Sequence, residues 1–342
     1  MDRLDTKYPR FAPSCYDGVQ AHSVATSPAM TASNLLLLHA GALGDFVLTL
    51  SVIQRLRSLF GATHVVTIAS SGAAQLAAGR SAVDEFIAPD ACGLHTLFNE
   101  STPPDERLIR HLRSARWIIN FLSDEHERIH RRLAAITPAR LVSIAPQPTP
   151  TTINSRRHIT EQWCEQIRQQ AVQLSKPCAP TLRIEGNRID GAKQVLIHPG
   201  SGGRDKCWPI DRFFEAADIA RDMGARICWM LGPVECDRDR ALTDRVHERT
   251  QQQDETLVIE EELRQAARRI AESDLYLGND AGMTHLAAAI GTPTIALFGP
   301  TDPRIWRPLN PQVCVISAGE SPTSMDGIEV ATVVEAMKRQ LD

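Results

Sequence analysis

From residue 34 onward, short runs of branched and apolar residues alternate with longer stretches in which apolar residues return every three or four positions. The short runs suit strands and the longer ones suit amphipathic helices. The first half offers strands at Leu35–His39, Val65–Ala69, Val83–Ile87, Trp117–Phe121 and Leu141–Ile144. Between the first two, Phe46, Leu50, Ile53, Leu56 and Leu59 share one helical face. Gly61 sits just beyond, where a left-handed residue ends a helix.

Ala145–Thr152, with prolines at 146, 148 and 150, reads as a loop, and a helix follows over His158–Leu174. A turn-rich patch then separates two halves, with the boundary placed between 176 and 193. Afterwards the alternation restarts. Strands are expected at Val195–His198, Ile227–Leu231, Leu257–Ile259, Leu275–Gly278 and Thr294–Phe298. Helices are expected at Pro209–Asp222, as one long polar helix from Pro233, and at Glu262–Ala271 and Met283–Ile290. The tail Ile328–Leu341 is amphipathic. Alternation of this kind predicts α/β architecture: two successive Rossmann-like, doubly wound parallel sheets with a cleft between them. The first domain is expected over 34–180 and the second over 190–320, with the tail helix, 326–341, packing back on the first. No internal repeat is visible.

Composition narrows the function classes. Of 342 residues 43% are hydrophobic, enough for ordinary cores and too few for a membrane protein. The longest early apolar run, Leu35–Leu38, falls far short of the roughly 20 residues that cross a bilayer. Residues 1–33 carry no apolar core of a secretory signal and read as a poorly ordered extension of a cytoplasmic protein. Lys and Arg number 37 against 41 Asp and Glu, so no overall basic charge draws the chain to nucleic acid. The eight cysteines show no C-x-x-C pair and suit reduced thiols better than disulfides or zinc.

Three strand-to-helix turns carry candidate chemistry. In the first, Gly41 and Gly44 allow close backbone approach, and Asp45 is either a reactive carboxylate or simply a residue that favours a helix start. The second, His198–Pro209, holds three glycines with Ser201, Gly202 and Lys206, a setting for a diphosphate. It lacks the spacing of a Walker loop, and the weaker alternative is a glycine-rich surface turn with a solvated lysine. The third, Gly278–His285, ends a strand and opens a helix whose first N–H groups favour phosphate oxygens. There Asp280 and His285 have capping or packing as alternatives. Between these, Glu235 after Gly232 offers a carboxylate able to take both hydroxyls of a ribose.

In this order the motifs resemble glycosyltransferase family 9, the ADP-heptose:lipopolysaccharide heptosyltransferases. The matching stretches are Gly41–Asp45, His198–Gly200 with Lys206–Pro209, Gly232–Glu235, Gly278–Pro293 and Leu297–Pro303, across roughly 34–341. The resemblance implies a GT-B architecture, with the donor bound mainly by the second domain and the acceptor by the first. It implies an inverting, metal-independent transfer of a heptose or related sugar to a saccharide or glycolipid. No cofactor is implied beyond a nucleoside-diphosphate sugar, with ADP the favoured nucleotide. Asp45 then resembles the general base and Lys206 the cation on the diphosphate, with Ser201 and Gly202 lining the same loop. Glu235 resembles the ribose-binding acid, while Asp280, Ala281, Gly282 and His285 resemble the diphosphate turn. Gly41 and Gly44 lie on the acceptor side. The acceptor region, between residues 90 and 160, is short for the family.

Other signals weigh less. His126–His130 matches H-E-x-x-H but lacks a third ligand. Asp237 and Asp239 mimic a metal-binding D-x-D within what reads as a polar helix. Arg107, Arg110, Arg113 and Arg116 form a stripe that suits an anionic acceptor or the inner face of a membrane, and suits a solvated helix face better. Trp208 and Trp306 read as packing residues. Two functions compete with transfer: a nucleotide-sugar epimerase on the same scaffold, and a non-catalytic nucleotide-sugar binder. A NAD-dependent oxidoreductase is weaker still, since the glycine fingerprint is incomplete.

Overall fold

The computed structural model describes residues 34–61, 64–123, 127–171, 173–187, 191–259, 262–319 and 323–342. The extension 1–33 and His126 lie outside these. The first lobe is built on strands β1 (Asn34–His39), β2 (His64–Ala69), β3 (Glu85–Ile87), β4 (Trp117–Phe121) and β5 (Arg140–Ser143). All pair in parallel, in the order β3-β2-β1-β4-β5. Its helices are α1 (Leu43–Phe60), α2 (Gly72–Ala77), α3 (Pro89–Cys92), α4 (Glu106–Ser114), α5 (Arg128–Ile136), α6 (Pro150–Ser155) and α7 (Ile159–Gln170). Gly61 ends α1 in the left-handed conformation, at φ 57°.

Strands β6 (Gln194–His198), β7 (Arg226–Leu231), β8 (Thr256–Ile259), β9 (Leu275–Asn279), β10 (Thr294–Phe298) and β11 (Val313–Ser317) form the second sheet. They too are parallel, in the order β11-β10-β9-β6-β7-β8. The second lobe's helices are α8 (Ile210–Asp222), α9 (Pro233–Arg238), α10 (Arg240–Gln253), α11 (Leu263–Glu272), α12 (Gly282–Ile290), α13 (Pro303–Trp306) and α14 (Val330–Leu341). In each sheet the winding reverses beside the first strand of the lobe: between β1 and β4, and between β6 and β9. Ligands of open α/β sheets sit at such reversals, beyond the carboxyl ends of the strands.

The faces alternate as a pleated strand requires. Leu35 and Leu37 of β1 enter one core, with α1 and α7, while Leu36 and Leu38 enter another, with α4 and α5. On β6, Val195 and Ile197 meet α8 and α14, and Leu196 turns the other way. That inner core runs on from the first lobe into the second, joining Leu35, Phe46 and Trp163 to Leu196, Tyr276 and Leu286. The inner helices of the two lobes thus pack together, and two glycines lie at the contact between α1 and α12. A Cβ on Gly44 would lie 3.4 Å from Gly282 Cα, and one on Gly282 would lie 3.1 Å from Gly44 N.

Three expectations need correction. The tail helix α14 packs on α8 and on β9, β10 and β11, rather than on the first lobe, because Val333, Val334 and Met337 fill the outer core of the second sheet. The stretch expected as loop around 150 holds α6: Pro150 occupies the first turn, where its missing N–H costs nothing, and Thr149 caps Thr152 N–H at 3.3 Å. The long polar helix from Pro233 breaks at Asp239, whose Oδ1 accepts from Leu242 N–H at 3.1 Å to start α10. β11 was not foreseen either. No helix among the described residues is long and apolar enough to cross a membrane.

The glycine contact is open to test. Gly282→Val would place its Cβ 2.9 Å from Leu43 Cβ, with two methyl groups still to be housed. Overpacking of this kind should lower stability by about 1–3 kcal/mol in urea denaturation. An unchanged midpoint would show that α1 and α12 are free to part.

Candidate functional site

The second lobe brings two loops together beyond β6 and β9. Asn279, buried at the end of β9, donates from Nδ2 to Pro199 O at 2.7 Å and accepts at Oδ1 from Trp208 N–H at 3.0 Å. Both ends of the 199–208 loop are thereby tied to the turn that opens α12. Ser201 Oγ donates to Asp280 O at 2.9 Å, and Lys206 Nζ donates to Asp280 Oδ2 at 2.8 Å. Side-chain exposure is 34% for Lys206 and 9% for Asp280. The lysine therefore keeps a solvent-facing side with donors to spare. Trp208 is buried, with its Nε1 donating to Ile328 O at 3.0 Å, so it anchors the loop to the segment before α14.

Glu235 lies deeper. Its Oε2 accepts from Gly232 N–H at 2.8 Å and stands 3.8 Å from His198 Nε2. The backbone at Gly200 passes directly over this carboxylate, since a Cβ there would lie 1.9 Å from Oε1. Only glycine fits. The acid expected to meet a ribose is thus held under the glycine loop, at the mouth of β6 and β7.

From the first lobe, α1 points its N-terminus at the N-terminus of α12. Gly44 lies against His285, with 3.1 Å from a would-be Cβ to Cδ2. Asp45 is the third residue of α1, and its Oδ2 accepts from Ala42 N–H at 3.3 Å. Burial raises the Asp45 carboxyl above the usual aspartate range, opposed by that hydrogen bond. The Asp280 charge raises it further and the Lys206 charge lowers it. Residues from both lobes therefore feel one another's charge. Two helix ends, each worth about half a positive charge, meet here with two carboxylates and one ammonium. Charges of both signs are thus gathered beside two helix starts, contributed by both lobes.

Histidines line the junction in their neutral form. Burial lowers His39, His158 and His285 to about 4, and it lowers His198 as well, against the pull of Glu235. His39 closes β1 and accepts Gly41 N–H at Nδ1, 3.2 Å away, fixing the turn before Asp45. His158 caps α7 and donates from Nε2 to Arg307 O at 2.9 Å, a bond between lobes. The buried Nδ1 atoms of His198 and His285 have no hydrogen-bond partner among the described residues.

The expected residues Asp45, Lys206, Asp280, Gly282 and His285 thus meet at one junction, with Ser201 and Ala281 in the same two turns. Gly202 faces open space, and Glu235 sits beneath the loop. Asn279, His39 and His158 were not singled out beforehand; a polar residue closing an otherwise apolar strand was the available signal for the first two. The other signals disperse. Arg107 is paired with Asp105 at 2.7 Å and Arg113 donates to Ile136 O, so part of the arginine stripe is satisfied within its own lobe. His130 Nδ1 shares a hydrogen bond with Ser143 Oγ at 2.9 Å. The seven described cysteines are free thiols.

Comparison with known proteins identifies the family. Residues 112–329 match the profile of glycosyltransferase family 9 (heptosyltransferase), and the chain belongs to that family. Lipopolysaccharide heptosyltransferase 3 of Escherichia coli K12 is 31% identical over 126 residues, 36% of each chain. The alignment thus spans about a third of this curated relative's length. Among solved structures, E. coli ADP-heptose lps heptosyltransferase II superposes with a TM-score of 0.69 at 19% identity, covering 90% of this chain and 98% of that one. E. coli heptosyltransferase WaaC with ADP gives 0.65 at 17%, covering 90% and 99%. These share the two-lobed GT-B fold.

The titrations set a pH dependence. His39, His158 and His285 bind protons less readily folded than unfolded, so their contribution to stability is lost as pH falls from 6.5 toward about 4. Each differential proton changes stability by up to about 1.4 kcal/mol per pH unit. Asp45 works the other way: its raised carboxyl favours the fold at low pH, and that favour is lost as pH rises above 3.8 through the folded value. Urea midpoints should therefore drop steeply between pH 6.5 and 4, and Asp45→Asn should be more stable than the parent at pH 7. A flat profile, or a destabilised Asp45→Asn protein, contradicts the assignment.

Proposed function

We propose that the chain is an inverting glycosyltransferase that moves a heptose or related sugar from a nucleoside-diphosphate sugar to a saccharide or glycolipid acceptor. The observation that carries this reading is Asp45, offered by the first lobe, facing Lys206 and the start of α12 on the second. Family membership supports the transfer chemistry, and the ADP held by the WaaC structure supports ADP as the nucleotide. The lipopolysaccharide relatives support an acceptor of that class.

In this reading the donor diphosphate lies across the 199–208 loop and the α12 N-terminus. Lys206 keeps one N–H on Asp280 and turns the others to phosphate oxygens. Glu235, released from beneath Gly200, takes the ribose hydroxyls. Asp45 removes the proton from the acceptor hydroxyl as its oxygen attacks the anomeric carbon. The bond from that carbon to the β-phosphate oxygen breaks, and its electron pair leaves on the nucleoside diphosphate. A carboxyl raised by burial is a stronger base than a solvated one. Pre-aimed N–H groups and the ammonium stabilise the departing charge, with no divalent cation required. Gly41 and Gly44 belong to the turn that presents this base on the acceptor side; the side-chain space at Gly44 is taken by His285 and Gly282, and that at Gly41 by His39 and Asp45.

Substitution separates the two roles. Asp45→Ala should retain ADP-sugar binding, measured by calorimetry, and lose transfer by at least about 100-fold. Lys206→Ala should weaken the donor by about tenfold or more, as well as slowing transfer. Undiminished transfer by the Asp45→Ala protein would end the base assignment, and undiminished donor affinity in Lys206→Ala would end the other.

A further inference from the structure

A second cavity, of about 800 Å³, lies where the chain crosses between the lobes. Its rim carries Arg80 after α2, Arg183 of the crossing segment, and Arg264 and Arg268 of α11, against a single acid, Glu185. None of the four guanidinium groups is paired with a carboxylate among the described residues. Four like charges around one cavity repel one another, and Arg264 and Arg268 stand one helical turn apart on the same face. The whole chain carries a net charge of −4, so this concentration is local.

The cavity is built before any ligand arrives. Arg183 N–H donates to Arg80 O at 2.8 Å, and Leu182 N–H donates to Ala289 O at 2.8 Å, so the crossing segment is pinned to both lobes. Arg80 Nη1 donates to Leu76 O at 3.3 Å, which holds its guanidinium in place. Ile290, at the carboxyl end of α12, lines the wall. The donor loops meet the other end of that helix, about 12 Å away by its rise per residue. The two sites are separate.

We propose that this cavity binds a ligand carrying two or more adjacent phosphate groups, bridging the lobes at their hinge. Guanidinium groups present planar pairs of donors that match phosphate oxygens. Arginines spread around the cavity from three segments need more than one anionic group to engage them together. A free polyphosphate and a lipid headgroup with paired phosphates share this chemistry.

The test uses the full chain with Lys206→Ala, so that the donor site does not compete. Tripolyphosphate, titrated by calorimetry at low salt, should bind one-to-one. Arg264→Ala with Arg268→Ala should weaken it roughly 100-fold, about tenfold for each guanidinium removed, while Arg110→Ala leaves it unchanged. Both arginines are exposed, and unaltered circular dichroism of the double variant will show that the fold survives. Co-sedimentation with phosphatidylcholine vesicles containing cardiolipin, lost in the double variant, would assign the headgroup as the source. Tripolyphosphate binding without co-sedimentation would assign a free ligand. If neither probe binds, or if the double variant binds tripolyphosphate as tightly as its parent, the proposal is wrong.

Discussion

The architecture of the site depends on two helix ends being allowed to touch. α1 and α12 begin in different lobes, and their first turns meet through Gly44 and Gly282, where a side chain on either would strike the other helix. Two positive helix ends at that distance oppose each other unless negative charge lies between them. Asp45 and Asp280 supply it, and Lys206 balances the second carboxylate. The contact that joins the lobes is therefore also the one that sets a carboxylate from each lobe beside the two helix starts.

The two sheets explain why these residues arrive together. Each lobe reverses its winding beside its first strand, which leaves a gap at the carboxyl end of β1 and another at β6 and β9. His39 and Asp45 follow β1, and Asn279 and Asp280 follow β9, so the chemistry sits in the two gaps. Because the inner core is continuous across the lobes, the gaps are held facing each other. Inner helix layers meet helix to helix, and the outer layers, α4 and α5 on one side and α8 and α14 on the other, close the remaining sheet faces.

Placing ionisable groups at such a junction has a thermodynamic consequence. His39, His158, His198 and His285 are kept neutral by burial, and Asp45 is held above its ordinary range by the same cause. A raised carboxylate is costly to the fold and useful as a base. The neutral histidines hold turns and lobe contacts through ring nitrogens that accept as well as donate, as His39 does for Gly41 and His158 for Thr160 and Arg307.

By itself the sequence determined the α/β alternation, because apolar period and glycine or proline punctuation are local properties; Trp117–Phe121 and Thr294–Phe298 were legible to the residue. It also marked the three glycine-bearing strand-to-helix stretches that begin at Gly41, His198 and Gly278, since close backbone approach leaves a compositional trace. Proline density around 150 misled, because the same residue that marks a loop also suits the first turn of a helix. Only the tertiary structure decided which sheet the amphipathic α14 would cover, as an apolar face names no partner. It alone placed Glu235 beneath Gly200, tied the 199–208 loop to the turn before α12 through Asn279, and brought Asp45 within electrostatic reach of Lys206 and Asp280. Those relations join residues far apart in the chain, and distance in space is set by packing rather than by order along it.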